Sequence, residues 1–234
     1  MLTKAGSPAN RDNATLTSLV SEKLRRDILA GRFRPGERLR LAELREVYGV
    51  GPSPLREALF MLSAERLVAS SDHRGFTVAP MSITELDEVI WLRTKFERLA
   101  VTEAVARGDN EWETNIVASF YRLSKLKQED GAVWEDAHLA FHDALVAACN
   151  SPILHGFRRF IFDLSTRYRN LLLRVSAPDR DHVAEHDAMM KACLARDAEL
   201  AADLLARHFA LTRENIVRAI EDHRIDPVME GFGE

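Results

Sequence analysis

The chain has 234 residues, of which 46% are hydrophobic and 29% are charged, and its formal net charge is −4. This length allows one large domain or two smaller ones, and the apolar fraction is sufficient for a packed core. No run of 18 apolar residues occurs, so we expect no membrane-spanning helix. The first residues are polar and lack the apolar region of a signal peptide, which predicts a cytoplasmic protein with a loose tail over residues 1–14. Cys149 and Cys193 have neither metal-binding nor redox spacing, and we expect two buried thiols in a reducing compartment.

The charge is distributed unevenly along the chain. Residues 1–80 contain 13 Lys and Arg against 9 Asp and Glu, whereas the remainder contains 19 basic and 27 acidic residues. The basic excess is modest, but a basic part joined to a larger acidic part fits a protein that contacts nucleic acid through one end.

The first elements predicted are short helices followed by a hairpin. One helical pattern ends at Gly31, and a second covers Leu41–Tyr48. Gly49 then provides the tight turn that two crossed helices need, because glycine adopts positive φ without steric cost. Two short strands, around Val68 and over residues 74–78, are joined by a basic turn and predict a wing.

A third helix begins within residues 50–59, and we interpret it as a DNA-reading helix. Ser53 is predicted as its N-cap and Pro54 as its first residue, where a missing N–H costs nothing. The apolar residues that follow recur at helical spacing: Leu55, Ala58, Leu59, Met61 and Leu62. Ser53 and Arg56 lie where a recognition helix meets base edges and phosphates. An ordinary amphipathic surface helix would show the same spacing, so the pattern alone leaves both interpretations open.

The strings LRRDILAGRFRPGERL, LAELREVYGV, PSPLREAL, ERLV and RGFTV occupy most of residues 15–80. Together they closely resemble the winged helix-turn-helix of the GntR family of bacterial transcription regulators. The resemblance implies a regulator, expected to be a repressor, that binds a palindromic operator in double-stranded DNA as a homodimer. The residues expected to contact DNA are Arg40, Ser53, Arg56, Arg74 and Gly75. Gly51-Pro52 departs from the Ser-Arg that the family usually has there, so a common DNA-contacting arginine is absent.

The chain after Pro80 is helical in pattern throughout. Ser82 and Glu85 form a capping box that opens the first of these helices. The predicted helices cover 82–107, 110–129, 132–149, 153–175, 179–196 and 198–223. Six helices with short turns indicate an antiparallel bundle over residues 81–225, followed by a tail over residues 226–234. The predicted fold class is therefore mainly α, with a winged helix-turn-helix and its small β wing over residues 15–80 and an all-α bundle after it.

Four histidines of the bundle form a candidate metal site. His138 and His142 are four residues apart, so both imidazoles project from one face of one helix, and its apolar neighbours make that face the inward one. His186 and His208 lie on two other helices beside apolar residues. A lone buried histidine is usually a satisfied core residue. Four of them would each need a hydrogen-bond partner, which makes a shared metal ion the more economical interpretation.

The strings FH, AACNSP and RD around these histidines resemble the FCD domain, the ligand-binding half of FadR-type GntR regulators. Metal-binding members of that branch use one Asp and three His. The resemblance implies His138, His142, His186 and His208 as ligands, with His138 in the place of the Asp. Asp136 is not a ready substitute, because it lies six residues from His142 on a different helix face. Imidazole ligands suit Zn²⁺, Ni²⁺ and Cu²⁺, and we expect Zn²⁺ first and Ni²⁺ second.

The change from Asp to His alters the charge of the predicted site. Four neutral imidazoles leave the 2+ charge of a metal uncompensated, so we expect a small organic acid as the effector. Arg93 lies on the buried seam of helix 82–107, and a guanidinium grips a carboxylate with two parallel hydrogen bonds. In related FCD domains an arginine near this place contacts the effector, and Arg169 is a second candidate. The other interpretation of Arg93 is a structural ion pair with Glu97, four residues along.

Two other functions remain open at the level of the sequence. A metal-dependent hydrolase would use a pattern like His138-x-x-x-His142, but Leu139 stands where the general base of H-E-x-x-H belongs. A metal-responsive regulator, in which the ion itself is the signal, would differ by holding its metal weakly. We expect instead a regulator in which an effector in the bundle biases the spacing of the two DNA-binding domains.

Overall fold

The computed structural model describes residues 15–71, 75–173 and 180–222. The chain forms two compact units, of which the first ends at Ala79 and the second begins at Pro80, with residues 29–31 assigned to the second. Arg74 and residues 174–179 and 223–234, about which predictions were made, lie outside the described residues.

The first unit is a winged helix-turn-helix, as predicted. Its elements are α1 (Leu16–Leu29), α2 (Leu41–Tyr48), α3 (Pro52–Ala64), β1 (Val68–Ser71) and β2 (Gly75–Val78). The strands are antiparallel, with Val68 opposite Val78, and a bridge between Arg38 and Thr77 extends the sheet. The three helices bury one apolar core, which includes Leu24, Leu44, Leu55, Leu59 and Leu62. The leucine spacing of α3 is thus the spacing of a buried stripe.

The turn between α2 and α3 confirms one predicted detail and corrects another. Gly49 has φ 67° and donates its backbone N–H to the carbonyl of Arg45, which ends α2. The prediction that Ser53 caps α3 is wrong, because Gly51 is the N-cap and the helix begins at Pro52. A proline at the first helical position has no N–H to satisfy and a φ already suited to the helix, so α3 starts two residues earlier. Ser53 therefore lies within its first turn.

The second unit is an antiparallel bundle of the six predicted helices. They are α4 (Ile83–Arg107), α5 (Asn110–Ser124), α6 (Ala132–Val146), α7 (Pro152–Leu173), α8 (His182–Leu194) and α9 (Ala198–Glu221). Two short 3-10 helices, Gln128–Asp130 and Ala147–Cys149, replace the last turns predicted for α5 and α6. α4 packs against α6, α7 and α9, and α8 packs against α5 and α9.

Side-chain caps set most of the helix starts in the bundle. Ser82 accepts a hydrogen bond from the backbone N–H of Glu85 at 3.0 Å, as predicted for the start of α4. The Glu85 carboxylate accepts a hydrogen bond from the Tyr168 hydroxyl at 2.6 Å. Aspartates cap the N-termini of α5, α8 and α9 in the same manner, at Asp109, Asp181 and Asp197. Each cap satisfies one backbone donor that the first turn leaves free, which fixes where the helix begins.

Gly108 ends α4, and a glycine is required there by the close packing of a neighbouring side chain rather than by its backbone angles. Its φ of −59° is open to any residue. A Cβ at this position would lie 2.1 Å from the ring of Trp112, however, so only glycine lets the indole pack over the turn. Arg196 then donates to the carbonyls of Val105 and Gly108 and lies 5.0 Å above the Trp112 ring. The Arg-Asp pair at residues 196–197 thus closes one end of the bundle.

The bundle core contains an ion pair that differs from the predicted one. Glu97 of α4 does not pair with Arg93, because Arg158 of α7 donates two hydrogen bonds to its carboxylate at 2.9 and 3.0 Å. The side chains of Arg158 and Glu97 are 3% and 2% exposed. The planar fork of a guanidinium on a neighbouring helix matches both carboxylate oxygens, and this bidentate contact outcompetes a pair along one helix. Both cysteines are free and buried, as predicted.

Removing one partner of this ion pair should leave a buried charge without its counterion. We expect Arg158→Leu to lower the free energy of unfolding by about 3–5 kcal/mol. The double variant Glu97→Met with Arg158→Leu should recover much of that loss, because it removes both charges. Urea unfolding followed by circular dichroism measures both effects. A double variant as unstable as the single one would contradict this role of the ion pair.

Candidate metal centre and nucleic-acid interface

The four predicted histidines meet in the core of the bundle. His138 and His142 lie on α6, His186 on α8 and His208 on α9, and none is more than 4% exposed. One ligand nitrogen from each residue lies within 4.8 Å of those of the other three. Three helices, of which α6 is distant in sequence from α8 and α9, therefore bring four imidazoles to one point, and the cluster could hold a metal ion.

The rings of the cluster are packed against one another. The Nε2 atoms of His138 and His142 are 3.2 Å apart. The ring centroid of His186 lies 4.9 Å from that of His208 and 5.1 Å from that of His138. Two imidazole nitrogens this close must share either a proton or a bound cation, since both otherwise present lone pairs to each other.

Two of the four imidazoles have a hydrogen-bond partner at Nδ1. The Nδ1 atom of His186 is 2.6 Å from the carbonyl of His182, and that of His208 is 2.8 Å from the Glu185 carboxylate. Such contacts place the proton on Nδ1 and leave Nε2 free, which is the tautomer that metal-binding histidines use. Arg180 donates two hydrogen bonds to the Glu185 carboxylate and so fixes its position.

Burial keeps the cluster neutral. Desolvation lowers the pKa of His186 to about 4 and holds the pKa values of His138, His142 and His208 well below the usual histidine value. Burial alone would raise the pKa of Glu185, but hydrogen bonds from His208 and Arg180 hold it below its usual range. Neutral imidazole is the form that binds metal ions, so at neutral pH the donors are ready without losing protons.

Several nitrogens of the cluster have no hydrogen-bond partner among the described residues. They are Nδ1 of His138, Nδ1 of His142 and Nε2 of His186. An unpaired buried polar atom costs about 1–3 kcal/mol, and three in one core are unusual. A core that served stability alone would avoid these costs, so the arrangement favours a site that binds a further group.

Arg93 lies beside the cluster as a buried cation. Its guanidinium carbon is 4.2 Å from the ring centroid of Phe209 and 4.7 Å from that of Phe162, and both rings also neighbour His142. Nη1 donates to Ser165 at 2.6 Å, while Nε and Nη2 have no partner among the described residues. Burial lowers the pKa of Arg93 to about 9, so it remains charged at neutral pH. It therefore keeps two donors on one edge available for an anion.

Arg169, the weaker prediction, is placed near the same site but is already paired. Its guanidinium donates two hydrogen bonds to Glu135 and lies 5.4 Å from the Phe162 ring. Trp134, next to Glu135, stacks on His138 with centroids 4.6 Å apart and rings 13° from parallel. Because Glu135 neutralises its charge, Arg169 offers no open edge to an anion at the site. Asp136 is exposed, which agrees with its exclusion as a ligand.

A cavity of about 240 Å³ reaches the cluster from outside. Among its lining residues are Lys127 and Val183, which are exposed, and Trp134 and His186, which are buried. His182 also lines it and accepts a hydrogen bond from the Gln128 side chain at 2.9 Å. His182 and His186 are four residues apart, so the sequence alone did not decide which of them faces the cluster. It also did not predict Glu185 and Arg180, whose roles depend on the approach of α8 to α9.

Four of the five residues predicted to contact DNA are described, and all four are exposed on the first unit. Arg40, Arg56 and Gly75 line a single surface depression of about 500 Å³, together with Arg38, which sequence reasoning missed. Ser53 is exposed nearby in the first turn of α3. Arg40 forms an exposed ion pair with Glu43 at 2.8 Å. Arg56 at the start of α3 and Gly75 at the start of the wing are therefore available together.

Comparisons with known proteins agree with this architecture. Residues 16–78 match the family of bacterial regulatory proteins named gntR, and residues 88–211 match the FCD domain. The chain is 40% identical over 204 residues to the HTH-type transcriptional repressor GlaR of Escherichia coli, covering 83% of this chain and 93% of the relative. It is 36% identical over 205 residues to the HTH-type transcriptional regulator BphR of Paraburkholderia xenovorans, covering 83% and 84%.

The fold also matches solved structures. E. coli McbR superposes with a TM-score of 0.73 at 24% identity, over 90% of this chain and 99% of that one. A GntR protein from Rhodococcus sp. RHA1 gives a TM-score of 0.71 at 24% identity, over 87% and 98%. Among the described helices, none is both long and apolar enough to cross a membrane. The relatives are regulators rather than enzymes, and the chain belongs to the GntR family of DNA-binding bacterial transcription regulators, with a winged helix-turn-helix followed by an FCD domain.

Proposed function

We propose that this protein is a repressor whose operator binding responds to a small carboxylate, held in the bundle by a divalent metal ion and by Arg93. The observation that carries the proposal is the convergence of four ligand nitrogens within 4.8 Å, next to a buried guanidinium with two unpaired donors. Repression is inferred from the relative GlaR, which is named a transcriptional repressor. The operator DNA makes the cytoplasm its place of action.

The donor set supports Zn²⁺ as the resident ion, with Ni²⁺ as the runner-up. Four neutral imidazoles form a nitrogen-only site, and borderline ions such as Zn²⁺ and Ni²⁺ prefer such ligands to carboxylate oxygens. When bound, the ion would act as a fixed positive charge that accepts an anionic ligand. The nearly complete burial of the ligands favours an ion that stays bound, with the carboxylate as the signal.

Removing one ligand should abolish metal retention. We expect His142→Ala to weaken Zn²⁺ binding by more than roughly a hundredfold, because losing even an outer partner of a ligand costs about 10–100-fold. His155→Ala is the matched control, since His155 lies outside the cluster and should keep wild-type metal content. Elemental analysis and calorimetric titration of the stripped protein give both values. Wild-type protein that takes up no Zn²⁺ or Ni²⁺ would remove the metal from the proposal.

Charge supports a carboxylate as the ligand beside the ion. No carboxylate belongs to the four-histidine set, so a bound 2+ ion is not neutralised by its ligands. Arg93 adds a further positive charge beside the Phe162 ring, whereas Arg169 is already paired with Glu135. Buried positive charges in one place are stable only with anions to pair them. A small organic acid can bind the ion with one oxygen and the open edge of Arg93 with others.

Arg93→Gln should weaken carboxylate binding without affecting metal binding. We expect carboxylate affinity to fall by about 1.5–3 kcal/mol, roughly tenfold to a hundredfold, because a charge-assisted hydrogen bond is lost. Zn²⁺ content should stay at the wild-type level, because Arg93 is not a ligand. Calorimetric titration with acetate, lactate, malonate, succinate and citrate tests this, with Arg98→Gln as an exposed control on the same helix. Equal affinities of wild type and Arg93→Gln for every acid that binds would exclude Arg93 from the effector site.

The DNA-binding half of the proposal rests on the exposed residues of the first unit. Arg56 is exposed at the N-terminus of α3, where a recognition helix reaches base edges, and Arg40 and Gly75 lie around the same depression. A two-fold dimer would place two such helices in successive major grooves of a palindrome. Phosphate contacts release counterions, so operator affinity should fall steeply with salt.

Arg56→Ala should weaken operator binding by about 1–3 kcal/mol if its guanidinium contacts bases. The operator can be obtained by selecting bound sequences from random duplexes, and affinities can then be measured by fluorescence anisotropy at several salt concentrations. Arg107→Ala, which removes an exposed arginine from the bundle, should leave the affinity unchanged. A reporter gene placed behind the operator should be transcribed less in the presence of wild-type protein. Unchanged operator affinity of Arg56→Ala would exclude this residue, and increased transcription would make the protein an activator.

An apolar face on the bundle supports the homodimer. Phe96 of α4 stacks on Phe157 of α7 with centroids 5.9 Å apart and rings 13° from parallel. Leu99, Ile153 and Phe157, which follow the same faces of these helices, are 54%, 76% and 55% exposed. Clustered exposed apolar side chains of this size usually mark a contact with another protein. A second copy of the chain is the partner that a palindromic operator requires.

A further inference from the structure

The cavity that reaches His186 has an exposed rim and a buried inner end. Lys127, Asp181 and Val183 are exposed at its rim, whereas Trp134 and His186 are 3% and 1% exposed at its other end. His186 is the member of the cluster that lines this cavity, and Trp134 beside it stacks on His138. A solute that enters here therefore meets His186 first.

One side-chain contact joins two elements that line this cavity. The amide nitrogen of Gln128, in a 3-10 helix, donates to Nε2 of His182, at the start of α8, at 2.9 Å. His182 has its Nδ1 buried without a partner among the described residues. Its ring lies edge-on to Trp134, with centroids 6.2 Å apart, and stands 6.5 Å from the ring of His186.

We propose that this cavity is the access route to the histidine cluster and that the Gln128–His182 hydrogen bond is its gate. The inference rests on the proposed metal function of the cluster. His182 is not one of the four clustered histidines, and its side chain lines the cavity together with His186. A single neutral hydrogen bond holds the contact, and breaking it requires only side-chain rotation, which is fast compared with opening the bundle.

A gate changes rates and leaves the affinity alone, because it raises the barrier equally for uptake and release. Its removal should therefore differ from the loss of a ligand, which weakens binding. His182→Ala also keeps the support of His186, since His186 bonds the main-chain carbonyl of residue 182 and not its side chain. The route can also be narrowed, because Val183 is 47% exposed at the rim and tolerates a larger residue.

The test measures Zn²⁺ uptake by the stripped full-length protein and Zn²⁺ release to a chromogenic chelator, both by stopped flow. Gln128→Ala and His182→Ala should each accelerate both rates by roughly fivefold to tenfold, the effect of losing one hydrogen bond of about 1 kcal/mol. Val183→Phe should slow both rates. The dissociation constant should stay within about twofold of wild type in all three variants. Val117→Phe, an exposed valine on α5 outside the cavity lining, is the matched control and should change neither rate.

The outcomes separate this proposal from the one on which it rests. If wild-type protein binds Zn²⁺ and the opening and narrowing variants all exchange it at the wild-type rate, the access route lies elsewhere and the metal centre stands. If Gln128→Ala or His182→Ala weakens affinity without changing uptake, the residue supports the site and does not gate it. If wild-type protein binds no metal, the metal centre itself fails and the gate fails with it.

Discussion

The second unit depends on a constraint that most helical bundles avoid, which is the burial of four imidazole rings at one point of the core. Their nitrogens point inward from α6, α8 and α9, and the described residues satisfy only some of them. Leucine or phenylalanine would pack the same volume without this penalty, since replacing buried polar groups by apolar ones is commonly neutral or stabilising. The helix register that brings residues 138, 142, 186 and 208 together thus places a group that could hold a metal ion where an apolar core would be more stable.

The buried charges around the cluster are arranged so that the guanidinium of Arg93 keeps unpaired donors. Glu97 is saturated by Arg158, which leaves Arg93 without the carboxylate four residues along its own helix. Contacts with Phe162 and Phe209 offset part of the desolvation of Arg93, as cation–π contacts in dry surroundings can. The exchange of partners between two helices thus leaves Arg93 with two donors that no described residue accepts from.

The sequence predicted what local rules control. The bounds of α2 follow from Gly49, and the capping serine places the start of α4, because caps and turns act over a few residues. The inward face of α6 was predictable because the i,i+4 spacing of His138 and His142 coincides with apolar neighbours. His186 and His208 join them, in agreement with the prediction. That prediction required only that three helices present inward histidines, and it did not require the crossing angles of the helices.

What the sequence could not predict depends on distances between helices. The pairing of Glu97 with Arg158 is set by the approach of α7 to α4, 61 residues apart in sequence. The support of His208 by Glu185 likewise requires α8 and α9 to pack, and neither residue has a distinctive neighbourhood in the sequence. The wrong cap of α3 has another cause, because Gly51 and Ser53 are both good caps and the intervening proline decided between them.

The stacking of Trp134 on His138 gives the molecule an optical label of its own. The chain has three tryptophans, of which Trp91 is 59% exposed and Trp112 lies under the guanidinium of Arg196. Only Trp134 shares a face with a cluster imidazole, at 4.6 Å between centroids. Indole emission responds to the charge and polarisability of a ring in van der Waals contact. An ion bound at the cluster would therefore change the ultraviolet emission of Trp134 in the unmodified protein, and this buried indole emits at shorter wavelength than the solvent-facing Trp91.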